Sequence, residues 1–250
     1  MSHDENEAVC ALAMSVEVSE WLAELRDGQP PVATLVVHAL AALMTEGTSL
    51  GPPLLVPVAE DPPTMLPSAL DWCYQQFLEE CAAMRGRAAY DPGLAEASRR
   101  LQEQADAFRI RKEVLKASYL TAHLEAAIAA AEVDGGQQDQ DAGTVQARLA
   151  ELTTEIEQEL GRHSWPADLM ELRPGAPENG AIRILFAFEP AGTALLLAVL
   201  EGQETIAEHF GQALGLAADT LCEVRAGQAP EATARTYDDS QSFFAEYDRR

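Results

Sequence analysis

Two arginines flank a predicted turn within "LMELRPGAPENGAIRILFAFEP", residues 169–190. Arg173 follows the first apolar run and Arg183 lies at the start of the second, so they stand on opposite sides of one hairpin. Guanidinium groups bind phosphate through paired N–H donors, and a neighbouring acid–base group would move protons during phosphate chemistry. His209, on a helical pattern after the last predicted strand, is the histidine best placed for that task. We therefore take Arg173, Arg183 and His209 as candidate catalytic residues.

A structural role is the alternative for all three side chains. Either arginine would pin the hairpin by pairing with a nearby carboxylate, and many such pairs have no further function. The acidic neighbours in sequence are Glu171, Glu178 and Glu189. A histidine with no visible partner is more often a partly buried residue than a catalyst. Composition favours this structural role, because the chain is strongly acidic.

The charge of the chain restricts its partners. It carries 41 acidic and 17 basic residues, a net charge of -24. Residues 1–66 contain one basic and ten acidic side chains, and residues 167–250 contain six and fourteen, so these segments together carry -17. Phosphate backbones are bound by Lys and Arg that displace counterions, so direct nucleic-acid binding is disfavoured. The charge indicates either a solvating surface or recognition of a basic partner.

No cofactor, metal or membrane is expected. None of the four cysteines forms a CxxC pair, and the histidines are not at metal-pair spacing. The N-terminus, "MSHDENEAVC", lacks a signal-peptide charge pattern. The longest apolar run, "ALLLAVL", is too short to span a bilayer. We expect a cytoplasmic location.

The N-terminal region mixes strand and helix patterns. Residues 9–25 begin with strand-like alternation at Val16 and Val18 and continue as an amphipathic helix. A second apolar helix ends at Gly47, and the prolines that follow require an extended chain. Residues 59–67 form a Pro-rich boundary.

From residue 68 to about residue 163 the sequence shows only helical patterns. A long helix is predicted over 93–133 and another over 144–161. The apolar stripe of the long helix recurs every seven residues and then shifts: Leu94, Leu101, Phe108 and Leu115, followed by Leu120, Leu124, Ala127 and Ala131. We interpret this region as an antiparallel, coiled-coil-like arm whose stripes pack internally. Partner binding, or a homodimer through the arm, is the alternative.

The C-terminal region returns to strands. Three apolar runs between residues 168 and 200 are separated by turn-rich connectors and predict a meander. A helix follows to about residue 225, and Phe243 begins an aromatic cluster suited to a short final helix. We expect an α+β domain split by an insertion, with four segments: 1–66, the inserted arm 67–166, the meander and helix 167–226, and a tail 227–250.

Two separate stretches resemble one family. "VSEWLAELRDG" with "LGPPLLVPV", and "LMELRPG" with "IRILFAFEP", resemble the two halves of phage-derived RelE/HigB-like toxins of bacterial type II toxin–antitoxin modules. The resemblance covers roughly 9–58 and 168–225, and the arm has no counterpart. It implies a small antiparallel sheet with N-terminal helices, metal-independent and ribosome-dependent mRNA cleavage, and a helix-turn-helix antitoxin as partner.

The chain departs from that family where the chemistry would lie. Pro52 stands where the family has arginine, Gly202 where it has lysine, His209 where it has an aromatic residue and Phe210 where it has tyrosine. The leading hypothesis is therefore a toxin-like protein with a degraded nuclease site that acts by protein–protein binding. The alternatives are an active endoribonuclease and a helical scaffold or oligomerisation protein, so whether the chain is an enzyme stays open.

Overall fold

The computed structural model describes residues 10–58, 62–133, 139–161, 165–175, 182–201, 206–227 and 233–247. It divides the chain into two compact units. The sheet unit comprises Met1–Asp61 and Pro166–Arg250, and the arm unit comprises Pro62–Trp165. The described residues form seven α-helices and one mixed sheet of six strands, and the predicted α+β class is confirmed.

The sheet unit is built on one six-stranded sheet with the order β2-β3-β4-β5-β1-β6. Its strands are β1 (Ala11–Ser15), β2 (Leu55–Pro57), β3 (Leu169–Leu172), β4 (Arg183–Glu189), β5 (Thr193–Leu200) and β6 (Thr233–Tyr237). β3, β4 and β5 form the predicted antiparallel meander. β1 and β5 run parallel, so the sheet is mixed rather than antiparallel throughout. A parallel pair needs a long connection, and here most of the chain lies between the two strands.

One face of the sheet is covered by α1 (Val16–Gly28), α2 (Pro30–Glu46) and the C-terminal α7 (Ser240–Tyr247). The strand-like pattern predicted at Val16 and Val18 was wrong, because α1 begins there. Ser15 caps this helix, accepting a hydrogen bond from the Val18 amide at 3.3 Å.

The opposite face is covered by α6 (Ile206–Arg225), which contacts β4 and β5. Leu185, Ala187 and Leu195 are buried but lie outside the core under α1 and α2. Phe210 and Leu214 of α6 are fully buried. The sheet unit therefore has helices on both faces, which a continuous apolar strand such as β5 requires.

The predicted tail adds ordered structure to the sheet unit. It contains β6, which pairs antiparallel with β1 and which the sequence patterns missed, and α7, which was predicted from its aromatic residues. Tyr237 and Phe243 belong to the core. Their rings lie 5.2 Å apart in an edge-to-face arrangement.

One described stretch, Pro30–Ser49, is long and apolar enough to cross a membrane, and 50% of its most apolar window is buried within the protein. Core helices of soluble proteins meet the same test. Eight residues of α2 are buried in the core of the sheet unit, so its apolar composition has a structural explanation.

The arm unit consists of α3 (Pro62–Ala88), α4 (Ala95–Val133) and α5 (Asp139–Gly161), and α4 contacts both of the other helices. α3 begins inside the stretch predicted as a Pro-rich boundary. Proline is accepted in the first turn of a helix, where the N–H groups have no partner within the helix. α5 begins five residues earlier than predicted.

The inner seam of α4 does not shift where the sequence analysis placed a shift. It continues from Leu115 through Tyr119 and Ala122, all of them buried, at alternating steps of four and three. Leu120 and Leu124 are 46% and 63% exposed. Their prediction as internal packing residues was wrong, because a different set of residues keeps the 3.5-residue repeat of the seam.

Candidate functional site

The two candidate arginines meet at one carboxylate, that of Glu171. Arg173 Nε and Nη2 donate to the two Glu171 oxygens at 2.8 and 3.1 Å. Arg183 Nε lies 3.3 Å from Glu171 Oε1. Glu171 is only 1% exposed, so its charge depends on these two partners rather than on water.

The backbone explains why these side chains converge. Glu171 and Arg173 are two residues apart on an extended segment, so they point to the same side of the sheet. The Arg173 amide donates to the Leu54 carbonyl at 2.8 Å, which extends the β2–β3 pairing by one residue. Gly175 then turns the chain with a φ of 91°, a left-handed conformation that glycine adopts without strain. Arg183 opens β4, the strand paired with β3.

The guanidinium group of Arg183 lies beneath α6. Its Cζ is 5.8 Å from the centroid of the Phe210 ring, a distance at which a cation is attracted by the aromatic face. The Arg183 side chain is 18% exposed. Its Nη1 atom is buried and has no hydrogen-bond partner, so one donor of this cluster remains unsatisfied.

His209 precedes Phe210 on α6 and is exposed. It is therefore one residue away from the ring that faces Arg183. Arg173 and Arg183 are joined directly through Glu171, and His209 lies beside Phe210 on α6. Gly202 and Glu178, which the sequence analysis also considered, lie outside the described residues.

A second ion cluster joins Arg225, at the end of α6, to Asp168 before β3 and to Glu189 at the end of β4. Arg225 Nη1 donates to Asp168 Oδ1 at 3.1 Å, and Arg225 Nη2 bonds to Asp168 Oδ2. Arg225 Nε also donates to Glu189 at 3.1 Å. The hydrogen bond from Arg225 lowers the pKa of Asp168 and outweighs the opposite effect of burial. The sequence analysis missed this cluster.

Every arginine in the described part of the sheet unit has a carboxylate within ion-pair distance. These residues are Arg26, Arg173, Arg183, Arg225 and Arg235. The unit contains no lysine. An anionic ligand bound here would have to compete with carboxylates that the protein itself supplies. No group of three or more His, Cys, Asp or Glu suited to a metal occurs among the residues that the structure describes.

Glu171 is the residue that sequence reasoning undervalued. Its spacing of two from Arg173 on a predicted strand was a usable signal, because such residues share a face. The choice among Glu171, Glu178 and Glu189 needed the register between β3 and β4. Glu189 pairs with Arg225 instead.

Comparison of the chain with protein-family models, with curated proteins and with solved structures finds no match.

Proposed function

We propose that this protein is a toxin-like relative of the RelE/HigB type in which the sheet fold is retained and the nuclease site is lost, and that it acts by binding another protein in the cytoplasm. One observation carries the proposal. Arg173 and Arg183, the two residues kept on matching positions of the family motif, are both held by the buried carboxylate of Glu171.

A nuclease needs cations that stabilise charge developing on the scissile phosphate. Here one carboxylate neutralises half of the cationic charge of the pair, and α6 covers the sheet face on which Arg183 lies. The missing lysine and tyrosine of the family pattern, now Gly202 and Phe210, remove further groups. The remaining cluster suits a structural role, which is to hold β3 against β4.

The partner is inferred from charge. The two segments of the sheet unit carry fifteen more acidic than basic residues even when residues 1–9 and 248–250 are left aside. Such a surface attracts a basic protein and repels RNA. The resemblance suggests a helix-turn-helix regulator, whose DNA-binding surface is basic, as the partner to test first.

Expression in bacteria, together with RNA cleavage by the purified protein in the presence of ribosomes, tests the loss of nuclease activity. We expect no growth arrest and no cleavage. Growth arrest that Arg183→Ala abolishes would contradict the proposal, because it would make Arg183 part of a working site. Asp27→Asn, which changes an exposed ion pair of the same unit, is the matched control.

Binding is tested by calorimetry against a purified helix-turn-helix regulator, and any such protein encoded next to this gene would be the first to try. We expect affinity that falls steeply as salt increases, because the contact is mainly electrostatic. Equal affinity at low and high salt would contradict the charge argument while leaving the loss of nuclease activity intact.

An active endoribonuclease is the second candidate, and one atom favours it. Arg183 Nη1 is buried without an acceptor, and an incoming phosphate oxygen would supply one. The cluster also carries two cations for one anion. Titration of the protein with a short RNA tests this function directly. Binding that Arg183→Ala abolishes and Asp27→Asn leaves unchanged would favour the enzyme.

A further inference from the structure

The longest helix, α4, carries a second apolar stripe on a side different from its buried seam. All positions of the outer stripe are exposed and alternate in steps of three and four: Ala107, Ile110, Val114, Ala117, Thr121, Leu124, Ile128 and Ala131. The four large members are 50% to 63% exposed. This is the a and d repeat of a coiled coil, sustained for about three and a half heptads. Single exposed apolar residues are ordinary, but a continuous row marks an interaction surface.

The outer stripe is self-complementary when one copy is reversed. Counting forward from Ala107 and backward from Ala131 gives matching sizes, with Ile110 against Ile128 and Val114 against Leu124. Small pairs lie at the centre, where Ala117 faces Thr121 across residue 119, and at the ends, where Ala107 faces Ala131. Small central residues allow two helices to approach closely, while the larger residues interlock on both sides.

Charge along α4 does not oppose the approach of a second copy. Residues 107–131, which span the outer stripe, contain four basic and two acidic side chains. Three of the basic ones, Arg111, Lys112 and Lys116, are paired with carboxylates of α5 and α3. The surroundings of the outer stripe are therefore close to neutral, in a chain whose net charge is -24.

We propose that the outer stripe of α4 binds a second copy of this chain, α4 against α4, in an antiparallel register centred on residue 119. The stripe is about 36 Å long at 1.5 Å per residue. A single helix-to-helix contact of this length is at the small end of specific interfaces, so the dimer should form reversibly. The inference uses only the arm unit and does not depend on the function proposed for the sheet unit.

Sedimentation equilibrium of the full chain from about 1 to about 200 µM tests the dimer. We expect the mass to rise from 27.0 kDa towards twice that value. Ile110→Glu and Leu124→Glu, tested separately, should each raise the dissociation constant at least about tenfold by placing a charge in the apolar seam. Leu216→Glu is the control, since Leu216 is an exposed leucine on α6, outside the arm unit, and it should change the constant less than about twofold. Far-UV circular dichroism checks that each variant is folded.

Cysteine cross-linking tests the orientation. Under mild oxidation the double variant A107C/A131C should give a covalent dimer, because these two positions face each other between copies, while A107C alone should not exceed the wild-type background. Cross-linking of A107C alone would overturn the antiparallel register. A chain that stays monomeric at all concentrations would overturn the proposal. It would do so even if the monomer bound a different protein through the outer stripe. Dimers that survive both glutamate variants would overturn it as well.

Discussion

Each unit contains a carboxylate that is paired with two cationic side chains. In the sheet unit the carboxylate is the buried member of the cluster, and in the arm unit a cation is. In the sheet unit the carboxylate of Glu171 is buried, whereas the side chains of Arg173 and Arg183 are 37% and 18% exposed. In the arm unit the situation is reversed. Lys112 is 6% exposed, whereas its partner Asp71 has a side chain that is 46% exposed.

Which member of the cluster is buried determines how each cluster responds to the loss of one charged group. Burial by itself would raise the pKa of Asp71, but hydrogen bonds from Lys112 and Lys116 outweigh it and the pKa is lowered. Lys112 also bonds to Glu113 at 2.6 Å and lies over the Tyr74 ring. The arm cluster can therefore lose one carboxylate without leaving a buried charge unpaired. In the sheet cluster both arginines depend on the same carboxylate, that of Glu171.

The largest effect is expected from Glu171→Gln. Breaking a buried ion pair by removing one partner costs up to about 3–5 kcal/mol, because Arg183, whose side chain is only 18% exposed, keeps its charge without the Glu171 carboxylate. Urea denaturation should show this loss, and hydrogen exchange of β4 should locate it in the sheet unit. Asp27→Asn, at an exposed pair of the same unit, should change stability by less than about 0.5 kcal/mol. A Glu171→Gln protein as stable as the wild type would mean that the cluster does not hold β3 and β4 together.

Two tyrosine-to-phenylalanine substitutions should have smaller effects that differ between the units. The Tyr237 hydroxyl of the sheet unit donates to Glu246 at 2.7 Å, so Tyr237→Phe should destabilise by about 1–2 kcal/mol. The Tyr119 hydroxyl of the arm unit is buried and makes no hydrogen bond of good geometry. Burial raises its pKa to about 12, and the nearby Thr153 hydroxyl opposes this effect only in part. Tyr119→Phe should change stability by less than about 0.5 kcal/mol, because the hydroxyl that it removes is poorly hydrogen-bonded. Thermal and urea unfolding of the two variants measure this contrast, and equal losses for both would contradict it.

These contrasts also mark the limits of sequence-based prediction. The meander could be predicted, since Pro190 and Gly192 mark its second turn and the strands are continuous apolar runs. α7 followed from its aromatic spacing. β6, "TARTY", has no apolar run of its own and pairs with a strand more than two hundred residues earlier, so local patterns do not reveal it.

The candidate site was predictable only in part. Arg173 and Arg183 were identified correctly as neighbours of an acidic residue, but the arrangement depends on register and on the layer above them. The sequence did contain a signal for the layer formed by α6. β5, "TALLLAVL", is apolar on both faces, which indicates a sheet covered on both sides and so argues against an open nuclease face. The contact between the Phe210 ring and the Arg183 guanidinium group depends on how α6 packs on the sheet. The spacing of residues within the sequence does not specify that packing.

The effect of pH on the stability of the arm unit should be smaller still. His123 lies against Tyr119 with ring centroids 4.5 Å apart, and its Nε2 atom is buried without a partner. Burial lowers the pKa of His123 below its usual value near 6.5. As the pH falls, His123 of the unfolded chain therefore binds a proton at a higher pH than His123 of the folded chain. The free energy of unfolding should decrease as the pH drops below about 6.5. His123→Phe should reduce this loss between pH 7.5 and pH 5.5, whereas Tyr119→Phe, which keeps the histidine, should retain it. A loss unchanged by His123→Phe would assign the pH response to other groups.

The smallest effect is expected from removing the arm altogether. Pro57 of β2 lies opposite Met170 of β3 in an antiparallel pair, so the chain leaves the sheet and returns to it at neighbouring positions, about 5 Å apart between Cα atoms. A short Gly/Ser linker in place of residues 62–165 should therefore join β2 to β3 as a hairpin, and the sheet unit should keep its stability within about 1 kcal/mol. Trp21, the only one of the three tryptophans left in that variant, donates to Glu201 at 2.6 Å and reports the fold through its fluorescence. If the shortened protein does not fold, the two ends of the chain do not form an independent domain, and the comparison between two self-sufficient units fails.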